Sequence, residues 1–226
     1  SGNTGLAAVT VCKTLGLHFH AIVDTRIETE KLESLIEHGA TVTKVEGDVH
    51  TRIRIAAEMA VLDPAGIDLD QYGNEGALFG HYQITGPMIW HDMAGNIDAV
   101  VVALGTGGTF GGVAAFLTEQ NPHILTIAVD AYGSALIHGK PGKRLLTGIG
   151  CAFIPKNVRR AYQHIRGTPY VATDEEAFSA SRQLLDEEGI GVGGSGGAVL
   201  SAAMNLARKV QGKRIVMIFH DGAAAY

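Results

Sequence analysis

The stretch AVVVAL, residues 99–104, has no polar side chain and is dominated by β-branched valine. A second run of this kind, IVMIF, occupies residues 215–219. A strand with one face in water alternates apolar and polar residues, whereas a strand covered on both faces does not. Strands covered on both faces belong mostly to parallel sheets flanked by crossover helices. These two runs therefore constrain the chain to an α/β architecture before anything else is read.

The remaining pattern agrees. The strand candidates are FHAIVD (19–24), ATVTKV (40–45), IDAVVVAL (97–104), HILTIAVD (123–130) and KRIVMIF (213–219). Helix-period stretches lie between them at 4–15, 29–38, 51–62, 109–118, 174–188 and 197–209. In 29–38, Leu32, Leu35 and Ile36 share a face. The acids Asp174, Glu175 and Glu176 open 174–188, and Arg208 and Lys209 close 197–209, each suited to the helix dipole. Strand and helix in alternation predict α/β with a parallel sheet. Met88 and Trp90 read as core residues of a helix after Gly86. The segment 63–80 is rich in Gly and Asp, has little period, and reads as a long functional loop near a domain boundary.

Composition narrows the function. The net charge of −5, with no basic stripe, argues against a nucleic-acid partner. No apolar run reaches membrane-spanning length and no signal peptide is visible, so the cytoplasm is the default location. Cys12 and Cys151 are too few for a disulfide framework and read as small hydrophobes. His18, His20, His81, His91 and His220 match no zinc spacing, and no metal is expected.

The 30 glycines cluster in short loops, where backbone can approach a ligand. GTGGT, Gly105 to Thr109, follows the 97–104 strand and precedes a helix. Free backbone N–H groups and a helix N-terminus make such a turn an anion site suited to phosphate, and Thr106 and Thr109 add hydroxyls. A tight turn without a ligand is the alternative. A dinucleotide fingerprint fails on glycine spacing, with Asp130 a weak acidic partner. A P-loop fails for want of a Lys-Ser or Lys-Thr pair. GGSGG (193–197) and SGNTG (1–5) repeat the arrangement of hydroxyls and glycines before a helix. Three such corners exceed the needs of one phosphate and suit a phosphorylated cofactor plus a carboxylate substrate.

SGNTG, QYGN (71–74), TGPMIW (85–90), GTGGT, GIGCAFIP (148–155) and EEGIGVGGSGGA (187–198) occur in this order. In this combination the chain resembles the pyridoxal-phosphate enzymes of the cysteine synthase and cystathionine β-synthase family, over almost its whole length. The resemblance implies fold type II: a two-domain, parallel-sheet α/β architecture of the tryptophan synthase β-like kind, lacking its N-terminal segment. The expected domains are 1–82, smaller, mobile and incomplete at its N-terminus, and 83–226, larger and carrying the phosphate loop.

The resemblance also implies site roles. Gly105, Thr106, Gly107, Gly108 and Thr109 would cradle the phosphate of pyridoxal 5'-phosphate. Asn3 would bond the ring hydroxyl and Ser195 would meet the pyridine nitrogen. Ser1, Gly2, Thr4 and Gln71 would hold the substrate carboxylate, and Gly148 would let backbone lie close to the substrate. The implied reaction is β-elimination and β-replacement on an O-activated serine, with sulfide or another nucleophile as acceptor, in a homodimer. The family's Schiff-base lysine is expected upstream of Ser1, and none of Lys13, Lys31, Lys44, Lys140, Lys143, Lys156, Lys209 and Lys213 matches its motif. The run Ala223–Ala225 also departs from the family pattern.

Alternatives stay open. A diaminopropionate-type precursor synthase using phosphoserine would let Lys143 and Arg144 meet an acidic group, against a solvated basic turn. A non-catalytic relative could bind a partner through the same fold. A nucleotide-binding α/β protein would rest on GTGGT alone.

Overall fold

The computed structural model describes residues 2–222, with side chains from Thr4 onward. Ser1 and Ala223–Ala225 lie outside the described residues, as does the Asn3 side chain. The chain forms two compact units, residues up to Gln71 and from Tyr72 onward.

The smaller unit contains α1 (Gly2–Thr14), β1 (His20–Asp24), α2 (Thr29–Glu37), β2 (Thr41–Val45) and α3 (Val49–Leu62). β1 and β2 pair in parallel, His20 opposite Thr41 through Asp24 opposite Val45. Val9, Ala21, Val23, Leu35 and Ala40 form its buried core. α3 starts two residues before the expected Thr51, because the Asp48 side chain accepts the Thr51 amide at 2.8 Å and caps the helix. Asp24 accepts from Arg26 at 2.9 Å and from Arg52 at 2.8 Å, tying the end of β1 to α3.

The larger unit begins with α4 (Gly76–Gly80), a π-turn (His81–Thr85) and α5 (Gly86–Asp92). Then follow β3 (Ala99–Ala103), α6 (Gly108–Gln120), β4 (Leu125–Ala131), α7 (Lys156–Ala161), a single 3-10 turn (Tyr162–His164) and β5 (Tyr170–Ala172). α8 (Asp174–Glu188), α9 (Gly194–Ala207) and β6 (Ile215–Ile218) complete it. The four strands are parallel in the order β5-β4-β3-β6.

β3 is buried at every residue, as its run of valines predicts. Its residues alternate between faces. Val100 and Val102 join Phe110, Val113 and Leu117 of α6 on one side. Val101 and Ala103 join Ala198, Val199 and Ala202 of α9 on the other. Each such valine contributes on the order of 1.5–3 kcal/mol by leaving water.

The expectations miss in several places, α7 among them. β5 is only three residues long, too short to show a period. The segment 63–80 is not loop throughout: its end is α4, which packs on α6, so residues 72–82 belong with the larger unit. Trp90 does pack against the core, but Met88 is 58% exposed. In the one helix they share, two residues of separation turn the side chains by about 200°, so both cannot face one core.

Candidate active site

The carboxyl ends of parallel strands leave backbone groups and loops at one sheet edge, where open α/β folds gather their ligands. In the larger unit, that edge collects three of the glycine loops picked out in the sequence. GTGGT leaves β3 directly. Gly107 caps α6 with φ +96°, in the left-handed region, and an added Cβ there would lie 2.6 Å from the Val158 nitrogen. Gly108 is buried, and its Cβ would meet that of Ala77 at 2.8 Å. These two glycines thus owe their identity to packing. Gly105 differs: the nearest atom to its missing Cβ is the Gly148 carbonyl oxygen at 3.5 Å. Thr106 and Thr109 are half-buried.

That neighbour brings the second loop into place. The Gly150 amide donates to the Leu104 carbonyl at 2.8 Å, so the GIG segment runs beside the start of GTGGT. Gly148 is exposed, with φ +74°. Asp130, dismissed in the sequence as a weak dinucleotide acid, shapes this loop. It is 1% exposed, and its carboxylate accepts the amides of Ala131 at 2.8 Å and Ile137 at 3.0 Å. Burial pushes its pKa up, against these hydrogen bonds. Asp174 accepts the Leu145 and Leu146 amides at 2.9 and 3.0 Å and ties the same loop to α8. Arg144 donates to the Gly133 carbonyl at 3.0 Å and braces the loop, while Lys143 is exposed. Burial pushes the Cys151 thiol up to about 11.

The third loop is GGSGG. Val192 bridges to Gly222, and the Gly193 amide reaches the Asp221 carbonyl at 3.4 Å. Phe219 follows β6, the neighbour of β3, and packs beside Gly196. The N-terminus of α9 is therefore anchored at the same sheet edge. Ser195 lies in its first turn, 0% exposed, and its Oγ has no hydrogen-bond partner among the described residues. Leaving a buried hydroxyl unsatisfied costs about 1–3 kcal/mol. An orphaned donor and acceptor at a sheet edge lined by glycine loops fits a polar ring atom of a bound cofactor.

In the smaller unit, Gly2 begins α1, and Thr4 is exposed in its first turn. SGNTG is thus helix from its second residue. Gln71 is half-buried. Lys31 pairs with Glu28 and Lys213 with Asp98, both at 2.8 Å on the surface. No helix among the described residues is long and apolar enough to cross a membrane.

Comparison with known proteins agrees with this geometry. Residues 1–221 match the family described as pyridoxal-phosphate dependent enzyme. The chain belongs to that family. N-(2-amino-2-carboxyethyl)-L-glutamate synthase of Ralstonia nicotianae is 35% identical over 233 residues, covering all of this chain and 68% of the relative. Cysteine synthase A of Salmonella typhi is 32% identical over 241 residues, covering all of the chain and 73% of the relative. The crystal structure of O-acetylserine dependent cystathionine beta-synthase from Helicobacter pylori superposes with a TM-score of 0.92 at 31% identity. That match covers the whole chain and 74% of the solved one. The chain is a fold-type II pyridoxal-phosphate enzyme of the cysteine synthase and cystathionine β-synthase kind.

Sequence reading missed His81 beside GTGGT. Its Nε2 lies 3.1 Å from the Thr109 hydroxyl. Read as a possible metal ligand and set aside, His81 gave no local signal of this contact, since Thr109 is 28 residues away.

Proposed function

We propose that the protein catalyses β-replacement on an O-activated serine, with a small nucleophile as acceptor. The observation that carries this reading is Ser195, a buried hydroxyl without a partner among the described residues, at the sheet edge that also holds GTGGT. In this reading the backbone amides and hydroxyls of Gly105, Thr106, Gly107, Gly108 and Thr109 hold the cofactor phosphate at the start of α6. Ser195 meets the pyridine nitrogen, and Gly148 lets backbone approach the substrate. Asn3 takes the ring hydroxyl, while Ser1, Gly2, Thr4 and Gln71 take the substrate carboxylate.

Pyridoxal phosphate, when bound, supplies an electron sink that loosens the Cα proton and lets a β-substituent leave. Ser195 tunes that sink. A hydroxyl donates a hydrogen bond to the ring nitrogen but does not keep it protonated, as a carboxylate would. A neutral hydroxyl at that position would suit β-replacement chemistry. The N–H groups that open α1 suit a carboxylate, because a helix N-terminus carries partial positive charge.

The Ralstonia relative's name supports an amino acid as an alternative acceptor. The braced position of Arg144 leaves exposed Lys143 as the freer cation of the loop for an acidic acceptor. The homodimer implied by the family resemblance belongs to this reading too, and sedimentation equilibrium tests it.

The deciding experiment incubates the full-length gene product and pyridoxal phosphate with O-acetylserine or O-phosphoserine. Sulfide, homocysteine or glutamate is offered in turn, and the products are separated chromatographically. A replacement product with one pair is expected. Cofactor binding without turnover of either serine ester would favour a non-catalytic relative.

A further inference from the structure

His81 stands on the π-turn that lies against α6, the helix whose N-terminus is GTGGT. The next residue holds the turn in place: the Tyr82 hydroxyl donates to Glu119 at 2.6 Å, and its ring meets Phe116 edge-on at 5.7 Å. Gly112 leaves room for the approach, since a Cβ there would lie 2.7 Å from the His81 Cβ. Both ring nitrogens are engaged. Nε2 is 3.1 Å from the Thr109 hydroxyl, and Nδ1 is 2.9 Å from the Thr85 hydroxyl.

Burial lowers the pKa of this imidazole. The neutral ring has one donor and one acceptor. The two tautomers have opposite consequences for Thr109. With the proton on Nδ1, Nε2 accepts the Thr109 O–H, and Thr109 offers only lone pairs elsewhere. With the proton on Nε2, the ring donates to Thr109 Oγ1, and the Thr109 proton is free to point into the loop. A phosphate presents acceptors alone, so only the second arrangement gives it a third-party donor from Thr109.

We propose that His81 is a positioning residue for the phosphate loop. Its Nε2–H donates to Thr109, its Nδ1 accepts from Thr85, and Thr109 is thereby held as a hydrogen-bond donor to the anion in GTGGT. This rests on the reading that GTGGT holds the cofactor phosphate, and it adds two residues outside that loop, His81 and Thr85, to its machinery.

The test compares binding of pyridoxal phosphate and of pyridoxal, which lacks the phosphate, to the cofactor-free full chain by titration calorimetry. The unaltered chain is expected to prefer pyridoxal phosphate. His81→Phe should weaken pyridoxal phosphate about tenfold and leave pyridoxal unchanged, as loss of one charge-assisted hydrogen bond. His81→Gln, whose amide nitrogen can stand in for Nε2, should restore most of the preference, and His81→Asn should not. Equal losses for both ligands, or no difference between Gln and Phe, would overturn the role of His81. If the unaltered chain binds the two ligands alike, the phosphate-loop reading itself fails, and the proposal with it. Nitrogen-15 NMR of the unaltered chain decides the tautomer even if a variant does not fold. A protonated Nε2 and bare Nδ1 are expected, and the reverse overturns the proposal.

Discussion

Ser195 makes the sharpest case at the scale of single residues. Its hydroxyl has no partner among the described residues and no exposure, so it costs stability in the cofactor-free chain. Ser195→Ala removes that cost. Thermal unfolding of the cofactor-free variant should therefore occur at the same or a higher temperature, while affinity for pyridoxal phosphate falls several-fold. A drop in both would mean that the hydroxyl serves the fold and not the ligand.

Asp24 tests charge in the same way. Hydrogen bonds from the Arg26 side chain and backbone, with Arg52 adding its charge, hold its carboxyl well below the usual carboxylate range. A depressed folded-state pKa stabilises the fold above the unfolded value of about 4 and loses that effect as pH falls through the folded one. Asp24→Asn should lower the melting temperature at pH 7. The gap to the unaltered chain should close on acidification and shrink in high salt, because the group is solvent-screened.

Among elements, α8 and α9 carry the clearest expectations. Thr173 and Glu176 form a reciprocal cap on α8: the Thr173 amide donates to Glu176 at 2.8 Å, and the Glu176 amide to Thr173 Oγ1 at 3.2 Å. Thr173→Ala should cost about 1 kcal/mol in denaturant unfolding. Gly197 lies where α9 crosses α8, and an added Cβ would run into the Ala177 carbonyl and the Ser181 hydroxyl. Gly197→Ala should cost about 3 kcal/mol, the upper end for overpacking, and should shift Ser195 with the helix. The same comparison explains why the glycines misled. Gly197, Gly107 and Gly108 looked like ligand-facing positions from sequence, yet each lies against backbone or side chain of a neighbouring element. Of the GTGGT glycines, Gly105 keeps the most open space at its missing Cβ. Sequence shows that a Cβ is absent and is silent on what would have met it.

For the whole molecule, the two units differ in how much they bury. The larger has a double-sided core around β3, with Val100, Val101 and Val102 each at 0% exposure. Among the described residues, the smaller relies on a core of five buried hydrophobic residues and a two-stranded sheet. Slow amide exchange needs wide opening, so the most protected amides should be those of β3 and β4. β1 and β2 should exchange measurably faster. Uniform protection across both sheets would contradict this account.

The sequence by itself determined the α/β class, five of the six strands among the described residues and the positions of the glycine loops, because runs of buried valine, helical period and glycine clusters are local patterns. It also carried the family, through an order of motifs that no single loop could supply. Tertiary structure alone decided what those loops meet. It brought Gly148 beside Gly105, left Ser195 without a partner among the described residues, turned Met88 outward and set His81 against Thr109. The first, second and last of these depend on residues far apart in the chain, whose proximity is fixed by strand order and helix packing and leaves no trace in local spacing.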